Sequence, residues 1–186
     1  MKETLEEMRS GLRKVLMSKS VITGKVFTLA SGKTSDFYVD ARVSTLDPAG
    51  AYYCGHLLLD LMKDQAVDAV GGYAIGADPI VTAMALISHE LGRPLPAFII
   101  RKEEKTHGTR RAIEGNFPEK GRVILVDDVI TSGGSILKGA AQVEAQGGSV
   151  AMILGVIDRQ EGGRETIEAA GYPFRAIFTR EELLGR

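Results

Sequence analysis

The 186-residue sequence has one cysteine, no tryptophan and three histidines that lie far apart. Cys54 therefore has no partner for a disulfide within the chain. Its apolar, helix-like surroundings predict a buried structural thiol in a reducing compartment. The scattered cysteine and histidines also lack the spacing of a zinc site. No apolar run is long enough to span a bilayer, and the first residues lack the apolar core of a signal peptide. We therefore expect a cytoplasmic protein with no membrane partner.

The charges of the sequence nearly cancel, with 23 Lys and Arg against 24 Asp and Glu and a net charge of −1. This balance gives no bulk attraction to nucleic acid, so no nucleic-acid partner is expected. Apolar residues make up 44% and charged residues 25%, which is ordinary for a soluble globular protein. The length suits one domain spanning residues 1–186. Apolar runs that alternate with helical patterns predict an α/β fold, with a central parallel sheet flanked by helices.

The most informative stretch is residues 122–135, RVILVDDVITSGGS. Its apolar run, residues 123–126, does not alternate and so predicts a strand buried on both faces. Asp127 and Asp128 follow at the carboxyl end of that strand, where open α/β sheets bind ligands. The small residues after them allow a tight backbone whose N–H groups, with the start of the next helix, can face an anion. The residues of this predicted phosphate cradle are Val129, Ile130, Thr131, Ser132, Gly133, Gly134 and Ser135.

A phosphorylated sugar with free hydroxyls suits both halves of this stretch. The cradle would hold the phosphate, and the two carboxylates would accept hydrogen bonds from vicinal hydroxyls. Taken singly, each half has a simpler interpretation, because Asp is a common helix cap and Gly-Gly a common turn. The complete run in this order favours the sugar-phosphate site.

A long polar connection, residues 101–121, lies between two predicted strands, where short loops are usual. Its cations Arg101, Lys102, Lys105 and His107 fall within seven positions. They come one strand before the cradle and so on the same rim of the sheet. The segment is either a binding loop beside the phosphate site or a solvated charged loop.

Three further segments, besides the cradle and the charged connection, have an interpretation in the predicted fold. Residues 26–42 predict a hairpin, with two β-rich pieces around a turn. Residues 71–79, GGYAIGADP, are either a tight strand-to-helix connection or a second phosphate loop. Arg159 follows a predicted strand, where pairing with Asp158 or Glu161 is the simple interpretation.

The sequence VILVDDVITSGGS closely resembles the motif of type I phosphoribosyltransferases that binds phosphoribosyl pyrophosphate (PRPP). Two more stretches resemble orotate phosphoribosyltransferases: F-T-L-x-S-G-x-x-S-x-x-Y, which matches their N-terminal hood, and R-K-x-x-K-x-H-G, which matches their mobile catalytic loop. The resemblance covers nearly the whole chain. It implies the type I phosphoribosyltransferase fold and Mg²⁺-dependent transfer of ribose 5-phosphate from PRPP to orotate. The products would be orotidine 5′-monophosphate and pyrophosphate, in pyrimidine biosynthesis.

The resemblance also implies roles for single residues. The four loop cations would contact the pyrophosphate of PRPP in the neighbouring subunit, which implies a homodimer. Lys105 would be the leading catalytic residue, followed by Lys102 and His107, while Asp127 and Asp128 would hold the ribose hydroxyls. Mg²⁺ would be carried by PRPP, with no side chain certain as its ligand. The residues implied to bind orotate are Thr131, Arg159, Tyr38 and Val39.

The sequence departs from some relatives where Ala30 and Gly76 replace lysines. Two other functions remain open. A purine phosphoribosyltransferase would share the cradle but should lack a carboxylate-gripping Arg159. A PRPP-sensing regulator that binds nucleic acid would need an extra domain or a basic face, and this sequence has neither.

Overall fold

The computed structural model describes residues 3–28, 34–102 and 112–185. The helices are α1 (Leu5–Lys19), α2 (Arg42–Thr45), α3 (Pro48–Leu61), α4 (Asp78–Glu90), α5 (Gly134–Ala145), α6 (Gly163–Ala169) and α7 (Arg180–Leu184). The strands are β1 (Val21–Thr28), β2 (Thr34–Val39), β3 (Ala69–Tyr73), β4 (Ala97–Ile100), β5 (Ile113–Gly115), β6 (Arg122–Ile130), β7 (Ser149–Asp158) and β8 (Phe174–Thr179). Among these residues, no helix combines the length and apolar character needed to cross a membrane.

Within the described residues, the main sheet has six strands in the order β5-β4-β3-β6-β7-β8. All neighbouring pairs are parallel except β4 with β5. Strand β6 lies inside the sheet, and its apolar residues 123–126 are fully buried. Ile124 and Val126 pack into the core beneath α1, α3 and α4, whereas Val123 and Leu125 pack with α5. Alternate side chains of one strand thus enter two cores, which confirms the predicted α/β fold with a strand buried on both faces.

The hood is a separate two-stranded antiparallel sheet in the described chain, made of β1 and β2. The predicted hairpin is confirmed, although β1 begins at residue 21 rather than 26. Phe37 is fully buried in the core, and its neighbour Tyr38 is exposed. Because side chains of a strand alternate, burying Phe37 turns Tyr38 towards the carboxyl ends of the main sheet. The ring of Tyr38 packs on that of Phe27, with centroids 5.2 Å apart.

Helix α1 packs on α3 and supports the hood from below. It begins with a capping box in which Thr4 and Glu7 exchange hydrogen bonds, and its buried residues are Met8, Leu12 and Leu16. Asp47 caps α3, as the sequence predicts, by accepting from the backbone N–H groups of residues 49 and 50. Cys54 on α3 is fully buried, and burial raises the pKa of its thiol to about 12. The thiol is therefore a packing group.

Two sequence-based expectations need correction. The connection 101–121 is not wholly irregular, because Ile113–Gly115 form β5 and pair with β4. Ile113 is buried while its neighbours are more exposed, so a three-residue strand in a charged segment leaves almost no pattern to detect. Strand β6 also continues past the two aspartates to Ile130, which pairs with Asp158 of β7. Val129 and Ile130 thus belong to the strand rather than to the loop.

Candidate active site

A cavity of about 410 Å³ opens at the carboxyl ends of β3 and β6, beneath the end of the hood. Parallel sheets bind ligands at this edge. The lining includes nine residues that the sequence singled out: Tyr38, Val39, Lys102, Asp127, Asp128, Val129, Thr131, Ser135 and Arg159. It also includes Asp40, Ala41, Arg42, Tyr73, Ala74, Ile75 and Gly76.

The acidic pair stands at the centre of the lining. The backbone N–H of Asp128 donates to Asp127 Oδ1 over 2.9 Å, and that of Val129 donates to Asp128 Oδ1 over 2.8 Å. Loss of surrounding water, together with the neighbouring charge of Asp128, raises the pKa of Asp127 to about 8. The charge of Lys102 opposes this shift. Two crowded carboxylates that keep some exposure to the cavity are suited to accept hydrogen bonds from a ligand's hydroxyls.

A second cavity of about 90 Å³ adjoins the first and is formed by the predicted cradle. It is lined by Asp127 and by residues 129–136, so Val129 and Ile130 contribute although they belong to β6. Gly133 has a left-handed φ of +78°, and a Cβ atom there would lie 3.0 Å from the carbonyl oxygen of Gly163. Helix α5 begins at the next residue. The main chain and the positive end of α5 therefore surround a space of the size and polarity that suit a phosphate group.

Arg159 is buried, with 7% of its side chain exposed, and it lines the larger cavity. Its Nε and Nη2 donate to Glu161 Oε1 over 3.1 and 2.7 Å, and its guanidinium lies 5.5 Å from the ring centroid of Phe37. Of the two structural partners considered, Glu161 is the one it contacts, while Asp158 pairs with Arg164 over 3.1 Å. The pairing with Glu161 orients the guanidinium at the cavity wall. Arg159 can therefore pair with Glu161 and still present its guanidinium to a ligand in the cavity.

The predicted loop cations fall into three groups. Lys102 lines the cavity. Arg101 does not; it pairs with Glu114 of β5 over 2.9 Å. Lys105 and His107 lie outside the described residues, and their roles stay predictions.

Several lining residues were not singled out by the sequence. Asp40 and Arg42 follow β2 and form an ion pair over 2.9 Å at the cavity wall. In the sequence, the D-x-R spacing after a predicted strand is the one feature that could have indicated Asp40 and Arg42. The connection at residues 71–79, which the sequence did single out, also reaches the cavity with residues 73–76. A Cβ atom on Gly76 would lie 2.6 Å from Asp128 Oδ1. Glycine at this position therefore leaves room for the carboxylate.

Comparison with known proteins agrees with this geometry. No protein-family model matches the chain. Over 180 residues it is 39% identical to the orotate phosphoribosyltransferase of Bradyrhizobium sp. (strain BTAi1), covering 95% of this chain and 97% of that one. It is 41% identical over 178 residues to the orotate phosphoribosyltransferase of Aquifex aeolicus, with 95% and 97% covered.

The chain belongs to the orotate phosphoribosyltransferase family.

A solved structure of another family member, the orotate phosphoribosyltransferase of Mycobacterium tuberculosis H37Rv, superposes with a TM-score of 0.83 at 38% identity. The match covers 95% of this chain and 98% of that one. The resemblance seen in the motifs and the fold expected from it are therefore confirmed. In this member of the family, the acidic pair, the predicted cradle and Arg159 line two adjoining cavities.

Proposed function

We propose that the chain transfers ribose 5-phosphate from PRPP to N1 of orotate, giving orotidine 5′-monophosphate and pyrophosphate in pyrimidine biosynthesis. One observation carries the proposal: the phosphate cradle, the acidic pair and a buried arginine open into adjoining cavities in a member of this family. These three features match the phosphate, the ribose hydroxyls and the carboxylate of the two substrates. The M. tuberculosis relative has also been solved in complex with PRPP.

Binding of PRPP begins at the cradle. Main-chain N–H groups around Gly133 and the start of α5 hold the 5′-phosphate. Asp127 and Asp128, which directly precede the cradle, accept hydrogen bonds from the ribose hydroxyls. Fixing the sugar at both ends places its anomeric carbon in the larger cavity and lowers the entropic cost of reaching the transition state.

The bond between the anomeric carbon and the pyrophosphate lengthens first, so the sugar gains oxocarbenium character, as in glycosyl transfer generally. The negative charge of the acidic pair favours that developing cation. Lys102 and Lys105, with His107, stabilise the departing pyrophosphate, and Lys105 is the leading candidate. Closure of the loop between β4 and β5 over the site excludes water that would hydrolyse the activated sugar. The reaction requires no nucleophile from the protein.

The donor set of the cavity is compatible with Mg²⁺. Among the described residues, no three His, Cys, Asp or Glu side chains cluster closely enough to hold a metal by themselves. Mg²⁺ instead commonly keeps several waters and binds through one or two carboxylates together with substrate phosphates. Asp127 and Asp128 with a bound diphosphate supply that set. When bound, the ion would neutralise part of the leaving group's charge.

Orotate binds on the side of the cavity formed by the hood and the end of β7. Arg159 grips its carboxylate, because a planar guanidinium held by Glu161 presents fixed donors. Thr131, Tyr38 and Val39 line the same cavity. In this proposal Thr131 is the companion of Arg159, and Tyr38 and Val39 border the ring. Purine bases carry no such carboxylate, so this wall does not favour a purine phosphoribosyltransferase.

The proposal includes a homodimer in the cytoplasm. The loop of each subunit places Arg101, Lys105 and His107 at the neighbouring subunit's site, as the resemblance implies. Arg101 pairs with Glu114 of its own subunit, so this pair must open before Arg101 can reach the neighbouring site. A PRPP-sensing regulator gains no support from the near-neutral charge of the chain.

The test is the fall in orotate absorbance on addition of PRPP and Mg²⁺, for wild type and Lys105→Ala. We expect turnover with orotate, none with adenine, hypoxanthine or xanthine, and a loss of about a hundredfold or more in kcat for Lys105→Ala at unchanged thermal stability. Absence of orotate turnover in the wild type would refute the proposed function. Full turnover in Lys105→Ala would instead remove only the role of that lysine.

A further inference from the structure

Arg42 stands at the wall of the larger cavity, in an ion pair with Asp40. Its Nε and Nη2 donate to Asp40 Oδ1 and Oδ2 over 2.9 and 3.0 Å. This two-point pairing sets the plane of the guanidinium. Arginine has five N–H donors, and Asp40 accepts two of them, so three can serve a ligand. Half of the Arg42 side chain is exposed, and exposed ion pairs of this kind contribute little to stability.

The charge of Arg42 acts within the site. Its pKa is raised, first by the hydrogen bond and charge of Asp40 and further by the charge of Asp128. Among the lining residues that the structure describes, the cations are Arg42, Lys102 and Arg159. Arg159 is engaged by Glu161, and Lys102 acts on Asp127. Arg42 is therefore a cavity-lining cation that is close enough to interact with the charge of Asp128.

Position 76, next to Asp128, carries no cation in this chain. A Cβ atom on Gly76 would lie within 3.0 Å of all three carboxylate atoms of Asp128, at 2.6 to 3.0 Å. A lysine at position 76 would thus require Asp128 to move. A positive charge for an anion bound beside Asp128 is more readily supplied from the start of α2, where Arg42 is already oriented.

We propose that Arg42 is a substrate-binding residue that donates hydrogen bonds to the diphosphate group of PRPP, and that Asp40 positions it. The inference rests on the proposed function, because it takes PRPP as the ligand. A diphosphate attached to the sugar that Asp128 holds would lie on the same side of the cavity as Arg42. Arginine suits this ligand since its planar donors match phosphate oxygens in pairs.

The experiment compares Arg42→Gln with Arg175→Gln by calorimetric titration of PRPP and, separately, of inorganic pyrophosphate, both with Mg²⁺ and without orotate. Arg175 is the matched control, because it forms the same two-point pair with Asp64 over 3.1 and 3.0 Å, is similarly exposed and does not line the cavity. We expect Arg42→Gln to weaken both ligands about tenfold to a hundredfold. Arg175→Gln should bind them as the wild type does.

Two further variants separate positioning from charge. Arg42→Lys should recover part of the affinity, since it keeps the charge without the fork. Asp40→Asn should give an intermediate loss with a raised KM for PRPP and an unchanged KM for orotate. If Arg42→Gln does not fold, Arg42→Lys measured against wild type tests the inference by the same titrations.

Unchanged binding of PRPP and pyrophosphate in the Arg42 variants would overturn the inference, and so would a rise in the KM for orotate alone. Turnover of orotate by the wild type is measured in parallel and depends on none of these variants. An active wild type with unaffected Arg42 variants therefore refutes the role of Arg42 and leaves the proposed function intact.

Discussion

Arg159 donates from both Nε and Nη2 to a single oxygen of Glu161, over 3.1 and 2.7 Å. Its Nη2 also lies 3.4 Å from the carbonyl oxygen of Phe37 in the hood. The guanidinium is thus held between the end of β7 and the hood, and it is nearly inaccessible to bulk water. A charged group held in this way is oriented before a ligand arrives, which reduces the entropy lost on binding.

Arg159→Lys should reduce kcat/KM for orotate about tenfold to a hundredfold, because lysine keeps the charge but cannot grip a carboxylate at two points. The Kd for PRPP, measured without orotate, should stay within about twofold, since the cradle and the acidic pair are untouched. Arg164→Lys is a suitable control: Arg164 pairs with the buried Asp158 on the same segment and does not line the cavity. An equal effect of the two variants on orotate would contradict the role of Arg159.

The ligand-free chain should lose stability as pH rises towards 8. The pKa of Asp127 is about 8 in the folded chain, against an ordinary value of 3.8. Between these values the folded state holds a proton that the unfolded state releases. Its contribution to the free energy of unfolding is therefore full below about pH 4 and is lost as pH rises through about 8.

Urea denaturation of wild type and Asp127→Asn at pH 5 to 9 measures this contribution. Asparagine carries no titrating proton, so the variant should show a flatter pH dependence and exceed the wild type most clearly above pH 8. Asp60→Asn, on the surface of α3 beside Lys63, should follow the wild-type curve. Parallel curves for wild type and Asp127→Asn would show that Asp127 does not hold the extra proton.

Gly133→Ala should destabilise the chain by about 1 to 3 kcal/mol, because Gly133 has a left-handed φ and a Cβ atom would press on the Gly163 carbonyl. Gly134→Ala is the matched control, since its nearest neighbour to an added Cβ lies 3.8 Å away. It should change the free energy of unfolding by no more than about 0.5 kcal/mol. The measurement is chemical denaturation of both variants, and similar midpoints would refute the steric argument.

Strand β6 and the residues after it show which features can be predicted from residues that are neighbours in the sequence. An unbroken apolar run predicted a strand buried on both faces, and the order of acids and small residues predicted an anion site after it. Both features depend on neighbours in the chain, because strand formation, tight turns and helix starts are local. Asp127, Asp128 and the cradle around Gly133 were therefore identified from the sequence, as was Arg159 beside the carboxyl end of β7.

Other features depend on groups that are distant in the chain. Strand β5 exists because the edge of β4 offers unpaired N–H and C=O groups, and three residues of weak pattern suffice to pair with them. Arg42 joins the cavity because the chain after β2 reaches the end of the sheet. A Cβ atom on Gly76 would contact Asp128 of another strand. Chemistry that lies within one short segment was determined by the sequence alone. Which segments face one another across the cavity was decided only by the tertiary structure, since packing distances between remote residues leave no regular pattern along the chain.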